Sequence, residues 1–285
     1  MENLKIEFEE TATKNWKHLA QISQLEDIFF SAKMILEKIR TNKYRASIFT
    51  QKNIQITIIT DALCDMHQTM LFSLKEGLFY SVSPLARISL EHAINLIYIL
   101  DDDTSQRTNQ LSRNYIETTY KKSELWFQHE KEFGTTEEIF ASKKKFDFIK
   151  FVKNSNASLM KKCSNWPNTF ERFKQCGAVK AYRTIYAMNS DSVHCLSEDM
   201  FNFGTISKYP AQLQKCVLDY LKSQNASLSV YLFCQTLRFF CFGLQKYSLL
   251  VKNDECNANL NRLCKELSYI SEIHNIDLFE DLIKK

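Results

Sequence analysis

Glycine and proline are scarce throughout this chain. Among its 285 residues there are five Gly and three Pro. A sheet-based fold of this length needs many tight turns, and tight turns depend on these two residues, whereas long helices with few connections do not. The scarcity therefore predicts an all-α protein. Because no Pro-, Gly- or Ser-rich linker divides the chain, we expect a single domain over residues 1–285, built as one large helical bundle.

The composition is that of a folded protein with reduced thiols. Hydrophobic residues make up 45% of the chain and aromatic residues 13%, which is too much for a disordered polypeptide. The nine cysteines form no Cys-x-x-Cys pair and lie mostly in apolar helical context, which predicts free core thiols and a cytoplasmic protein. The first ten residues are charged, so we expect neither a secretory signal nor a membrane anchor there.

Apolar residues recur at helical spacing along most of the sequence. The predicted helices lie near residues 15–43, 46–76, 84–101, 104–132, 136–153, 157–164, 168–194, 209–250 and 253–274. Ser83-Pro84 is typical of a helix start, and Asp101 to Asp103 marks a junction with the next helix. The most apolar segments, 85–100 and 228–244, are short and interrupted by polar residues, which favours buried helices over membrane spans.

One predicted helix carries a polar line within an apolar surface. Arg87, Glu91 and Asn95 are spaced four residues apart, so a helix places them on one face. A buried charge without a partner costs several kcal/mol, so we expect a hydrogen-bonded network around them. Two interpretations remain open here: an internal ion pair that fixes helix packing, or a polar pocket inside the bundle.

A second constellation follows downstream. Tyr182, Tyr186 and His194 fall near one face of the predicted helix over 168–194, and Asp191 is three residues before the histidine. A histidine titrates near neutral pH and can act as an acid or a base, with Asp191 orienting it. The alternative is an ordinary histidine with a local hydrogen-bond partner.

The region between these helices is strongly basic. Residues 143–183 contain eleven Lys or Arg and two acidic residues, a local balance of +9 within a chain of net charge +4. The lysines that we expect to contact nucleic acid are Lys143, Lys144, Lys145, Lys150, Lys161 and Lys162. Phenylalanines interleave with them, a mixture that suits phosphate contacts and base stacking; a solvated helix face with its Phe residues in the core is the alternative.

A set of residues extends this pattern along the chain: Ser83-Pro84-Leu85-Ala86-Arg87-x-x-x-Glu91-x-x-x-Asn95, Leu96-x-Tyr98-Ile99, Arg113-x-Tyr115, Tyr182-Arg183 and Ser190 to His194. The set resembles a family of uncharacterised bacterial helical proteins. That family pairs an Arg-x-x-x-Glu helix with a downstream Tyr and Ser/Asp…His helix. The resemblance covers about residues 80–200. Because the family is a domain of unknown function, it implies the helical fold and the positions of a site.

Arg87 and His92 also match the Arg-x4-His spacing of HEPN-type ribonucleases, which the sequence resembles more weakly. In that family Arg and His from two protomers cleave RNA without a metal, with the ribose 2′-hydroxyl as nucleophile. Ile88 replaces the polar residue that usually follows the Arg, and an ideal helix turns His92 away from Arg87. We therefore prefer a site in which Arg87 and Glu91 combine with His194, supported by Asn95, Tyr182, Asp191 and His92.

The sequence contains no Gly-rich phosphate loop, nucleophile elbow or His-x-x-x-His spacing, so we expect no metal and no organic cofactor. The function that we predict is a HEPN-like, metal-independent endoribonuclease effector of a bacterial stress or antiphage defence system. RNA would bind through residues 143–183. A homodimer and a cognate regulator encoded nearby are the expected partners. The alternative is a non-enzymatic helical sensor or scaffold whose polar line is structural or binds a small ligand.

Overall fold

Helices account for the regular structure of the described residues, which contain no strand. The computed structural model describes residues 2–44, 48, 50–187, 189, 202 and 204–274. The α-helices are α1 (Glu2–Lys17), α2 (Gln21–Arg40), α3 (Thr50–Lys75), α4 (Val82–Leu100), α5 (Gln106–Phe133), α6 (Thr136–Ser155), α7 (Ala157–Lys162), α8 (Thr169–Gln175), α9 (Val179–Ala181), α10 (Ala211–Leu250) and α11 (Asp254–Ile273). The predicted all-α class is confirmed.

Shorter turns join several of these helices. Short 3₁₀ turns lie at His18–Ala20, Phe79–Ser81 and Ile206–Lys208, and a π-helical turn follows α9 at Tyr182–Ala187. The prediction of one helix over 168–194 was wrong. α8 ends at Gln175, and Gly177 adopts a left-handed φ of 74°, which residues with a side chain rarely accept.

Two other sequence expectations need correction. The helix α1 was not predicted, because its charged sequence buries only Ala12 and so has little apolar periodicity. Ser83 does not cap α4, since that helix begins at Val82 directly after a 3₁₀ turn. Pro84 still lies in the first turn, where the backbone N–H groups have no partner within the helix and its missing N–H costs nothing.

The chain divides into two compact packing units. Unit 1 consists of Met1–Asp101 and Thr169–Lys285, and unit 2 consists of Asp102–Asn168. The expectation that residues 1–285 form a single domain stays a prediction.

Unit 1 is organised around α10, which packs against α1, α2, α3, α4 and α11. Every residue from Ser229 to Cys241 is buried, as expected for a helix that is apolar nearly all round. Gly243 allows α4 to approach closely, because a Cβ atom there would lie 2.8 Å from the Leu96 side chain. By length and composition α10 could also cross a membrane, but 83% of its most apolar window is buried inside the protein.

Unit 2 is a helical hairpin in which α5 packs along α6 and the short α7 contacts both. Asp102 accepts hydrogen bonds from the backbone N–H groups of Thr104 and Arg107 and so caps α5 from outside the helix, which begins at Gln106. Thr135 and Glu138 form a capping box at the start of α6. Ile116 and Ile149 are the buried hydrophobic residues of this unit.

All eight cysteines in the described part of the chain are free thiols. Six of them are buried, and Cys163 and Cys264 are partly exposed. Burial raises the pKa of the Cys234 thiol to about 12, so this side chain behaves as a small apolar group. The described cysteines therefore agree with the expectation of reduced core residues.

Candidate functional site

The polar line of α4 faces α8 and the π-helical turn at Tyr182–Ala187, all within unit 1. Arg87, Glu91 and Asn95 are each partly exposed, whereas Leu90 and Ile94 on the same helix are fully buried. The line thus lies at the edge of the core. Such a position allows charged groups to keep some contact with water while they bind partners on the neighbouring elements.

Glu91 is the centre of a hydrogen-bonded network. Its Oε1 atom accepts from Arg172 Nη2 at 2.8 Å and from Thr169 Oγ1 at 3.3 Å. Its Oε2 atom accepts from the Tyr186 hydroxyl at 3.1 Å. The Arg172 side chain is 6% exposed and that of Glu91 is 27% exposed, so the ion pair is largely removed from water. Both carboxylate oxygens are therefore occupied by donors from α8 and the π turn.

Tyr186 connects this network to Arg87. Arg87 Nη2 donates to the Tyr186 hydroxyl at 2.9 Å, while the same hydroxyl donates to Glu91. The Arg87 guanidinium carbon also lies 4.3 Å from the centre of the Tyr186 ring, within cation–π distance. One tyrosine thus orients both charged residues of the α4 line.

The environment shifts two pKa values at the site. Burial lowers the pKa of Arg172, and the Glu91 carboxylate opposes that change. Burial also raises the pKa of Tyr186, with the negative charge of Glu91 acting in the same direction. Since an arginine titrates above pH 12 and a tyrosine near pH 10, Arg172 stays charged and Tyr186 stays protonated at neutral pH. The Tyr186 hydroxyl therefore remains a hydrogen-bond donor to Glu91 at neutral pH.

Aromatic rings hold the two tyrosines in place. Tyr182 and Tyr186 stack with ring centres 5.2 Å apart, and Phe173 lies 5.3 Å from Tyr182 and 5.4 Å from Tyr186. Phe170 packs edge-on against Tyr182 at 5.1 Å. Both tyrosines belong to the π-helical turn. Such turns are rare in proteins, and many of those that occur lie at functional sites. Tyr182 accordingly supports Tyr186 through ring packing.

The other supporting residues have different positions. The His92 ring bonds through Nδ1 to the Ile88 carbonyl of its own helix at 2.9 Å, which agrees with the expectation that it turns away from Arg87. Asn95 lies one turn beyond Glu91, and its Oδ1 atom is buried with no hydrogen-bond partner among the described residues. His194 and Asp191 lie outside the described residues, so their predicted roles stay predictions.

The six predicted nucleic-acid-binding lysines are all exposed, and all belong to α6 or α7 of unit 2: Lys143, Lys144, Lys145, Lys150, Lys161 and Lys162. The basic segment is not uniform, however. Arg172, one of the eleven basic residues of this segment, is buried against Glu91 and so is not available to contact phosphate.

Sequence reasoning missed Thr169 and the pairing of Arg172 with Glu91. Thr169 carries no signal in the sequence, since a threonine at a helix start is common. Arg172 could have been found from its neighbours, because Phe170 and Phe173 indicate that α8 has a buried side. Within the described residues, no three His, Cys, Asp or Glu side chains are grouped in a way that could hold a metal ion.

A protein-family model matches residues 62–208 of this chain. The match covers just over half of the sequence and includes α4, α8 and the π-helical turn. The chain belongs to DUF5677, a family of unknown function. The predicted membership of an uncharacterised helical family is thereby confirmed, and the matched region includes every residue of the Glu91 network as well as Asp191 and His194. Searches of curated proteins and of solved structures return no match.

Proposed function

We propose that this DUF5677 protein is a HEPN-like, metal-independent endoribonuclease effector of a bacterial stress or antiphage defence system. The observation that carries the proposal is the Tyr186 hydroxyl between Arg87 and Glu91. It joins the Arg-x-x-x-Glu helix to the segment that leads, eight residues later, to His194. Two elements far apart in sequence thus contribute to one polar site at the edge of the core.

The reaction requires three tasks of the protein. A base takes the proton of the ribose 2′-hydroxyl, whose oxygen attacks the adjacent phosphorus while the bond from phosphorus to the 5′ oxygen breaks. A cation stabilises the charge that develops on the phosphate, and an acid protonates the departing oxygen. The products are a 2′,3′-cyclic phosphate and a 5′-hydroxyl end.

The site residues match these tasks by chemistry. Arg87 would stabilise the phosphate, because a guanidinium suits two phosphate oxygens and this one is only partly buried. His194 would move the protons, with Asp191 orienting it. Glu91 would position Arg87 and Tyr186, since its own two oxygens are already occupied.

The proposal includes a cytoplasmic location, where RNA is available, and a cognate regulator that restrains the activity. It also includes a homodimer, because HEPN-type sites draw Arg and His from two protomers. Residues 143–162 would hold the RNA through their exposed lysines.

The test is an RNA cleavage assay in the presence of EDTA. Wild-type protein should cleave and leave 2′,3′-cyclic phosphate ends, and Arg87→Ala and His194→Ala should each lower the rate by at least a hundredfold. Arg262→Ala and His129→Ala are matched controls, because both side chains are well exposed elsewhere in the chain. Intact RNA with the wild type, or full activity of both site variants, would falsify the proposal.

A second candidate is a non-enzymatic helical sensor or scaffold. The observation that favours it is the complete occupation of the Glu91 carboxylate by Arg172, Thr169 and Tyr186, as in a structural ion pair. Under this candidate, truncating Arg87 or Glu91 lowers the free energy of unfolding, and no activity is lost. Under the ribonuclease proposal, Arg87→Ala loses cleavage while stability is retained or raised.

A further inference from the structure

The outer face of α6 carries a row of exposed aromatic rings. Phe140, Phe148 and Phe151 are 69%, 58% and 67% exposed. Lys144, which is also exposed, lies between Phe140 and Phe148. The order Phe140, Lys144, Phe148, Phe151 gives intervals of four, four and three residues, which place all four side chains on one helix face. We call these four side chains the α6 stripe. A contiguous row of exposed large rings indicates an interaction surface.

Lysines border the α6 stripe on both sides. At about 100° per residue, Lys143 lies along one edge of the stripe, with Asp147 between it and the rings, and Lys145 lies along the other edge. Lys150 lies beyond Lys143, and its Nζ atom is 5.8 Å from the centre of the Phe146 ring. All three lysines are exposed. Between residues 139 and 168 there are seven lysines and one acidic residue, Asp147. The partner of this face must therefore accept both apolar contact and a high density of positive charge.

Unit 2 does not need these rings for its own packing. The inner side of α6 carries Phe146, whose ring lies 5.5 Å from Tyr120 and 5.7 Å from Phe127 of α5. Ile149, on that same side, is 3% exposed. The hairpin is thus closed by one face of α6 while the opposite face presents three phenylalanines to solvent.

The lysines discriminate between possible occupants. If a second copy of the chain covered this face, Lys144 and its neighbours would meet one another, and like charges brought together in an apolar contact are unfavourable. A polyanion with flat, apolar faces satisfies both features. Single-stranded nucleic acid is such a partner, because its bases stack on aromatic rings while its phosphates pair with lysines.

We propose that the α6 stripe binds single-stranded RNA, with bases stacked on Phe140, Phe148 and Phe151 and phosphates held by the bordering lysines. The inference deepens the proposed ribonuclease function and rests on it for the choice of RNA. Along the helix axis the stripe spans about 16 Å, which is room for roughly four or five stacked bases. Duplex RNA hides its base faces and would lose the stacking part of the interaction.

The experiment measures binding separately from cleavage. The probe is a fluorescein-labelled 20-nucleotide oligouridylate with 2′-O-methyl groups, which lacks the nucleophile that the proposed reaction uses. Fluorescence anisotropy with the full-length protein should show salt-dependent binding, and the Phe148→Ala/Phe151→Ala variant should weaken it at least tenfold, since base stacking on an aromatic ring is worth about a tenfold affinity change or more. Phe72→Ala is the matched control, because Phe72 on α3 is 58% exposed like Phe148.

One further variant and one further ligand separate the contribution of stacking from that of charge. Lys144→Ala should weaken binding and lower the slope of log affinity against log salt by about one, whereas the phenylalanine variant should leave that slope unchanged. A duplex of the same length should bind less tightly than the single strand. Together these results would support the proposed surface.

The opposite results would overturn it. If the phenylalanine variant binds the probe as tightly as the wild type, the rings do not stack on bases. If the wild type binds no RNA, is dimeric in light scattering and becomes monomeric on Phe148→Ala/Phe151→Ala, the face is covered by a second copy of the chain. If the wild type binds the probe but leaves unmodified RNA intact, the ribonuclease proposal fails and the binding surface stands. If it cleaves RNA while the phenylalanine variant binds normally, the surface fails and the ribonuclease stands.

Discussion

The two halves of the basic segment behave differently. In unit 2, Phe148 and its neighbouring lysines point outward, and Phe148 is 58% exposed. In unit 1, Phe173 is fully buried against Tyr182 and Tyr186, and Arg172 pairs with Glu91. The same residue types therefore build a surface in one unit and the support of a polar site in the other. Local composition does not distinguish the two roles, whereas burial does.

The largest expected effect on stability is that of removing the buried ring of Phe173 in unit 1. Phe173→Ala should lower the free energy of unfolding by about 3–5 kcal/mol, because it removes a fully buried ring from an aromatic cluster and leaves a cavity. Urea unfolding monitored by circular dichroism measures the change, with Phe72→Ala as an exposed control. A loss below about 1 kcal/mol would mean that the cluster around Tyr186 is not packed as described.

The arginine in unit 1 should also behave as a core residue. Arg172→Met should cost about 2–3 kcal/mol, because it leaves the Glu91 carboxylate without its cationic partner in a site that is only partly open to water. Arg262→Met is the control, since the Arg262 side chain is 70% exposed. The double variant Arg172→Met/Glu91→Gln should cost less than the sum of the two single changes; strict additivity would show that the two side chains do not interact.

A smaller effect should appear as pH dependence of stability, because unit 1 buries His67 completely. Its ring lies between Phe29 and Phe240, its Nδ1 atom bonds to the Leu63 carbonyl at 2.7 Å, and burial lowers its pKa to about 4. An unfolded histidine titrates near pH 6.5. Between those two values the unfolded chain binds a proton that the folded protein excludes, so stability falls as pH falls from about 6.5 towards 4.

For His67 alone this amounts to about 2 kcal/mol between pH 7 and pH 5. His67→Phe should remove that part of the pH dependence in urea unfolding at the two pH values. His129→Phe should not, because the His129 side chain in unit 2 is 64% exposed. His18 and His274 contribute with the same sign, since burial lowers the pKa of each.

Sequence patterns predicted the parts that depend on local spacing. The intervals between Arg87, Glu91 and Asn95 were enough to predict a polar line on one helix, and the scarcity of glycine and proline was enough to predict the fold class. The partners of that line were beyond such reasoning. Arg172 lies 81 residues from Glu91 in sequence, so their pairing depends on how α8 packs against α4. The charge count over residues 143–183 also treated the exposed lysines of α6 and the buried Arg172 as one group, although only the lysines are at the surface.

The smallest expected effect lies in unit 2. Phe148→Ala and Phe151→Ala should each change the free energy of unfolding by no more than about 0.5 kcal/mol, because rings that are 58% and 67% exposed leave little contact to lose. Urea unfolding under the conditions used for Phe173→Ala makes the comparison direct. A loss of 2 kcal/mol or more would show that another part of the chain covers these rings in solution, and the α6 stripe would then be an internal contact. If the variants bind RNA more weakly while their free energy of unfolding hardly changes, the rings serve to bind a partner and do not stabilise the fold.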